Sequence, residues 1–361
     1  MRRRPLPLLA VGLTAGTLVL AGCSTDPASG GGDDAGITVV ASTSVYGDIA
    51  EQIGGDGVEV DSIVDSVAQD PHSYEATVQD KLAVSKADVV IANGGGYDSF
   101  MEQLIADTDV DPASVVTVFE LSETAHSDGE AAGEEPAEEA EHDHAAEDEE
   151  HDHAAEESEH DHAADGQAEE GAEEGHDGHG HEGHSHAEGN EHVWYDFHVM
   201  QAAVEEVTAA LVAADPEGQS TYQENAAALT AELEALEARV QELSATADGR
   251  KYAMTEPLPF YLMEEAGLAD ATPEGYSETV EAGESVPPLL QKELIDALGA
   301  GEIAVLAYNP QSASPQTEAV RSAAEEAGVP VVELTETLPD DQDYADWMST
   351  NLDALEAALA G

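Results

Sequence analysis

The sequence predicts an α/β fold of two lobes, each with a mostly parallel sheet flanked by helices, joined by one long backbone helix. Three observations carry that expectation. Short β-branched runs alternate with helical stretches in two separate series, the pattern of βαβ units and parallel sheets. Aromatic residues are only 4% of the chain while alanine is abundant, which suits helices laid on sheets better than an aromatic-rich sandwich. Between the two series runs a helical pattern long enough to bridge two bodies.

The elements follow in chain order. Arg2, Arg3 and Arg4 precede an uncharged run, Leu6 to Leu20, too short to span a bilayer core of roughly 30 Å. A basic start and a short apolar stretch read as a secretory signal, residues 1–22. Leu20-Ala21-Gly22-Cys23 resembles a bacterial lipobox, so Cys23, the only cysteine, is expected to be the lipidated first residue and the membrane anchor. A lone cysteine leaves no disulfide framework and no thiolate metal site. Residues 23–36 read as a flexible Ser/Gly/Asp tether. Strands are expected at Ile37 to Ala41, Val58 to Val64, Asp88 to Ala92 and Ser114 to Leu121. Helices are expected at Tyr46 to Ile53, Val78 to Ala87 and Phe100 to Ala106. The first lobe therefore takes in residues 37–121 and, after an insertion, 191–215.

Residues 122–190 lose nearly every branched apolar and aromatic side chain, so they read as a disordered loop that cannot bury enough apolar area to offset ordering. The loop carries a nine-residue low-complexity repeat, Glu141-His142-Asp143-His144, Glu150-His151-Asp152-His153 and Glu159-His160-Asp161-His162. From Val199 to about Ala247 the pattern is helical, broken at Asp215-Pro216, where Asp215 suits an N-cap and Pro216 a first turn. The linking helix, 216–247, would be about 45 Å long at 1.5 Å per residue. The second lobe, 248–361, has strands at Tyr252 to Thr255, Ile303 to Ala307 and Val331 to Leu334. Its helices are expected at Phe260 to Glu265, Leu289 to Leu298, Thr317 to Ala327 and Tyr344 to Leu359.

The formal charge is −69, from 79 acids against 10 bases, and Ser122 to Glu191 alone holds 27 acids with no lysine or arginine. Such a surface repels phosphates and anionic lipid heads, which argues against nucleic acid as a partner. It attracts cations without selecting among them, and adaptation to salt would produce the same balance.

Histidine placement is more informative. Twelve of the fifteen histidines lie between His126 and His186, leaving only His72, His192 and His198 in segments that should fold. Neutral imidazole is the commonest nitrogen ligand of zinc and its neighbours. His72 sits in Asp70-Pro71-His72-Ser73-Tyr74-Glu75, a loop at the carboxyl end of a strand, where open α/β sheets place ligands. His192 sits in Glu191-His192-Val193-Trp194-Tyr195-Asp196, where a satisfied core histidine would look the same. His198 reads as structural or as a supporting group, and Glu75, Asp65 and Asp196 are candidates to orient the imidazoles. Asn93-Gly94-Gly95-Gly96 lacks the lysine and spacing of a phosphate loop and reads as a turn.

Taken in order, Asp-Pro-His-Ser-Tyr-Glu, the His-rich insertion and His-Val-Trp-Tyr-Asp resemble the zinc/manganese solute-binding lipoproteins of ABC importers (metal-binding cluster A-I). The match is to the zinc-uptake type with a His-rich loop. It continues through Tyr308-Asn309-Pro310-Gln311, Thr335-Glu336-Thr337-Leu338-Pro339 and Trp347-Met348. The resemblance implies two lobes with the metal in the cleft between them, and ligands at His72, His192, Glu256 and Glu336. Glu336 departs from the commoner aspartate at its position, and Asp340 or Asp341 could substitute. The alternatives for Glu256 and Glu336 are a helix-start carboxylate and a surface acid. The loop histidines His142, His144, His151, His153, His160, His162, His176, His179, His181, His184 and His186 are expected to be auxiliary metal groups. Zn2+ is the expected cargo, with Mn2+ the alternative. The implied partners are an ABC permease and its ATPase, with the protein a monomer held outside the cell membrane by its lipid. No enzyme activity is expected. A secreted zinc hydrolase would need an open coordination position, and neither a His-Glu-x-x-His motif nor a Gly-x-Ser-x-Gly elbow occurs. An adhesin or metal-buffering surface protein, with the acidic loop as its active part, is the third reading.

Overall fold

The computed structural model describes residues 36–122, 189–247 and 249–360. The expected lipidation site at Cys23, the signal segment and all the loop histidines lie outside the described residues.

Two four-stranded parallel sheets carry the structure. The first is built from β1 (Ile37–Thr43), β2 (Val58–Val64), β3 (Val89–Ala92) and β4 (Val115–Thr117), in the order β2-β1-β3-β4. The second uses β5 (Lys251–Met254), β6 (Ala269–Asp270), β7 (Val305–Tyr308) and β8 (Val331–Glu333), in the equivalent order β6-β5-β7-β8. In both, the chain first adds a strand on one side of the opening strand and then crosses to the other side. The crevices between β1 and β3 and between β5 and β7 are therefore topological switch points, where α/β sheets receive ligands at their carboxyl ends. β1 and β3 are nearly continuous buried aliphatic runs, as strands covered on both faces must be.

Helices cover the first sheet. α1 (Ser44–Gly54) buries Val45, Tyr46, Ile49, Ala50 and Ile53 at helical spacing. α2 (Val78–Val84) starts on a capping box in which Thr77 and Asp80 satisfy each other's backbone N–H groups. α3 (Ser99–Ala106) follows the glycine turn after β3. α4 (Phe197–Ala214) is long and apolar enough to cross a membrane by those criteria, but Val199, Met200, Val204, Val207 and Leu211 are buried in the core. α5 (Gln219–Ala247) is the long helix, and Tyr222, Leu229, Leu233, Leu236, Val240, Leu243 and Ala247 form its buried stripe. It packs against α1 and α4, and also against α6 (Phe260–Glu265) and α10 (Tyr344–Leu359) of the second half. α7 (Tyr276–Glu281), α8 (Pro288–Ala300) and α9 (Pro315–Ala327) complete the second half.

Three expectations needed correction. Ser114 to Leu121 is a strand only over Val115–Thr117. Val118–Leu121 then winds into a 3-10 turn, although Phe119 N still donates to Asn93 O at 2.8 Å. The long helix begins at Gln219 rather than Pro216, because Asp215 spends its carboxylate on Glu217 N and the Tyr222 hydroxyl, holding residues 215–218 in a turn. β6 and α7 were not anticipated, being two and six residues long.

One hydrophobic core runs through both halves, from Val39 and Ile49 through Trp194 and Leu233 to Met254, Trp347 and Leu352. Hydrogen bonds stitch the halves together: Leu338 N to Ser44 Oγ (3.1 Å), Tyr344 N to Asp48 Oδ2 (2.8 Å), and Tyr195 OH to Thr335 O (2.9 Å).

Candidate metal centre

Loops at the carboxyl ends of both sheets meet face to face. Asp70 caps the 3-10 turn Pro71–Ser73 by accepting from His72 N at 2.9 Å, and Pro71 presets the turn, so the His72 ring is held after β2. Its side chain is 14% exposed, and its Nε2 is buried without a hydrogen bond.

His192 is fully buried. Asn190 donates its amide to Pro257 O at 2.7 Å, which fixes Oδ1 as the acceptor facing the ring. His192 Nδ1 lies 2.7 Å from that oxygen and so carries a proton, which selects the Nδ1–H tautomer whenever the ring is neutral. In that tautomer the lone pair is on Nε2, the form in which imidazole binds metals.

Tyr97 lies beneath both rings. It follows the turn Asn93-Gly94-Gly95-Gly96, whose glycines have φ of +77°, +69° and +96°. A Cβ on Gly94 would come 2.4 Å from Thr117, and one on Gly95 2.8 Å from Phe119, so the turn needs glycine for its angles and its space. Asp98 closes the turn by accepting from Asn93 N and Gly94 N. Tyr97 then meets the His72 ring edge-on at 4.9 Å and donates to Glu336 Oε2 at 3.3 Å.

The second half contributes carboxylates. Glu256 follows β5 and Glu336 follows β8, and they are 3% and 1% exposed. Asn309, after β7, donates through Nδ2 to Glu256 Oε2 and, at 2.7 Å, to Glu336 Oε1. Ser312 also donates to Glu256 Oε2, at 2.9 Å, and Gln311 accepts from Glu336 N at 2.7 Å. Burial first, and then the charge of Glu336, pushes Glu256 up to about 8. Burial first, and then the charge of Asp70, raises Glu336 to about 8. Burial thus disfavours the charged form of both acids, and a bound cation would favour it.

The structure brings ligand atoms of His72, His192 and Glu336 within 4.8 Å of one another, with His72 Nε2 and Glu336 Oε2 3.7 Å apart. A tetrahedral zinc with bonds near 2.1 Å needs edges of roughly 3.4 Å, so this triad is close to closing on an ion. Glu256 adjoins Glu336 through the shared Asn309 amide but stands outside that triad. Glu281 also faces His192, with its Oε1 3.7 Å from Nε2.

The supporting groups differ from those anticipated. Asn190, assigned to the disordered loop, is the group that sets the His192 tautomer. Asp196 instead caps α4 through His198 N and Val199 N, and Glu75 and Asp65 are exposed. His198 groups with Glu237 of α5 and Glu265 of α6, apart from the cleft triad. Asp340 and Asp341 are exposed, and Asp340 lines a different cavity with Asp65 and Ser44. Tyr97, Asn309 and Glu281 carried no motif of their own. Tyr308-Asn309-Pro310-Gln311 was the only hint at one of them.

The chain is similar to known metal-binding proteins. A family model described as the periplasmic component A of the zinc-uptake complex, ZnuA, matches residues 39–358. The manganese-binding lipoprotein MntA of Halalkalibacterium halodurans is 35% identical over 113 residues, 31% of this chain and 37% of that protein. The manganese ABC transporter substrate-binding lipoprotein scaA of Streptococcus gordonii is 41% identical over 75 residues, 21% of this chain and 24% of its own length. The matched stretches thus span well under two thirds of these relatives. Among solved structures, the periplasmic zinc-binding protein TroA from Treponema pallidum superposes with a TM-score of 0.62 at 19% identity, covering 90% of this chain and 99% of that one. A ZnuA crystal structure gives 0.57 at 20% identity, covering 90% and 98%. At such identities these two likenesses speak to the fold.

Proposed function

This chain belongs to the ZnuA family of periplasmic zinc-uptake components, and from that premise we propose that it captures Zn2+ in the cleft and delivers it to an ABC importer. The observation that carries the reading is the triad His72, His192 and Glu336, the last two buried, drawn from loops of both sheets, with Glu256 beside it. The unsatisfied His72 Nε2 and the two raised carboxyls are what a site awaiting a divalent cation should contain. Two imidazoles and two carboxylates would give zinc a four-coordinate shell supplied wholly by protein. That leaves no position for an activated water, so the role is binding rather than hydrolysis.

Residues 37–121 with 191–215 serve as one lobe, 216–247 as the linking helix and 248–361 as the other lobe. Cys23 anchors the monomer outside the membrane, and a permease with its ATPase receives the ion. The loop histidines serve as auxiliary metal groups. Mn2+ is the second reading, favoured by the names of the curated relatives and by the number of carboxylates at the cleft.

Competition of zinc and manganese against calibrated chelators tests both. One tight zinc site per chain, lost in His72→Ala and in His192→Ala, is the expected result. Tighter manganese than zinc would change the cargo, and no tight site in the wild-type chain would end the capture reading.

A further inference from the structure

Glu281 ends α7, and the four-ligand reading gives it no role. Its side chain is 8% exposed, and Oε1 is buried with no hydrogen bond. A buried carboxylate oxygen left unsatisfied is costly, which asks for a ligand. The oxygen lies 3.7 Å from His192 Nε2, and ligand atoms of Glu191, His192 and Glu281 all fall within 4.8 Å of one another.

Glu281 also stands between two cavities. One, of about 410 Å³, is shared with Asp70 and Glu256. The other, of about 470 Å³, is shared with Gly189, Asn190 and Glu191. His192 belongs to both triads, and Asn190 engages its Nδ1, so Nε2 is the single nitrogen that either can use. One lone pair cannot bind two cations at once.

We propose that the cleft contains a second cation position formed by Glu191, Glu281 and His192 Nε2 (called outer below only to tell the two apart), occupied in alternation with the position at His72, His192 and Glu336 (called inner). This rests on the metal-capture reading. Two carboxylates and one nitrogen hold a divalent cation that keeps some of its water, so the ion sheds its shell in two steps instead of one. His192 stays bound throughout and passes the ion between the three-ligand position at Glu191 and Glu281 and the one at His72 and Glu336. Release runs the same steps backwards.

The test uses the full-length chain with Zn2+ and Co2+ as probes. His72→Ala disables the inner position, and Glu336→Gln does so by a second route should the first variant misfold. In either background one weakly held ion is expected to remain in the cleft. Adding Glu281→Gln removes it, so the double variant binds one ion fewer per chain, while adding Glu281→Asp restores the count. The loop histidines are the same in every variant and cancel in the difference. Glu281→Gln alone is expected to slow zinc loading about tenfold, the scale on which groups around a metal act. Equal ion counts with and without Glu281→Gln, or unslowed loading, would overturn the outer position. A wild-type chain with no tight ion would instead show that the capture reading itself has failed.

Discussion

At the scale of single residues, the site depends on groups that hold ligands as much as on the ligands. Asn190 links Pro257 O, His192 N and His192 Nδ1. Asn190→Ala should free the ring to change tautomer and weaken zinc binding by about 10- to 100-fold in chelator competition. The raised carboxyls give a second prediction. Glu256 and Glu336, ordinarily near 4.5, sit near 8 in the metal-free protein because burial favours their neutral forms. Zinc must therefore displace protons, so affinity should fall as the pH drops from about 8 to 6, and calorimetry at pH 7 in buffers of different ionisation enthalpy should show proton release. A raised pKa also means that these groups add to metal-free stability fully below about 4.5 and lose that contribution as the pH rises through about 8. Glu336→Gln should lower the proton count and flatten the pH dependence of the metal-free Tm. His72 and His192 were legible because only three histidines lie outside the acidic tract. Glu281, Asn309 and Tyr97 were not, since only the tertiary fold brings residues 97, 192, 281 and 309 together.

At the scale of elements, the glycine turn after β3 has the most specific demand. Gly95 combines φ of +69° with Phe119 at 2.8 Å from any added Cβ. Gly95→Ala should cost about 1–3 kcal/mol in denaturant unfolding. It should also shift Tyr97 and weaken metal binding, because the turn aims that ring at His72. Strands and long helices were readable where the pattern ran for a full window, as in β1 with its buried aliphatic run or α5 with its 29 residues. Two residues of β6 and six of α7 fall below the length at which periodicity speaks. The end of β4 was misread because Val118 and Phe119 suit a strand. Phe119 instead closes over Gly94 and Gly95, a tertiary contact that overrides local propensity.

At the scale of the whole molecule, the continuous core and the hydrogen bonds between the halves argue for a cleft that alters by loop movement rather than by wide hinge opening. Removing residues 123–188 should leave the tight site intact and lower only the capacity for weakly held zinc, as equilibrium dialysis would show. Loss of all binding would shift function to the acidic tract. The most direct test of the central claim is anomalous diffraction at the zinc edge from crystals grown with one equivalent of zinc. The account predicts one strong peak among His72 Nε2, His192 Nε2 and Glu336, with Glu256 within reach. A cleft without that peak, in crystals whose zinc lies elsewhere, would contradict it.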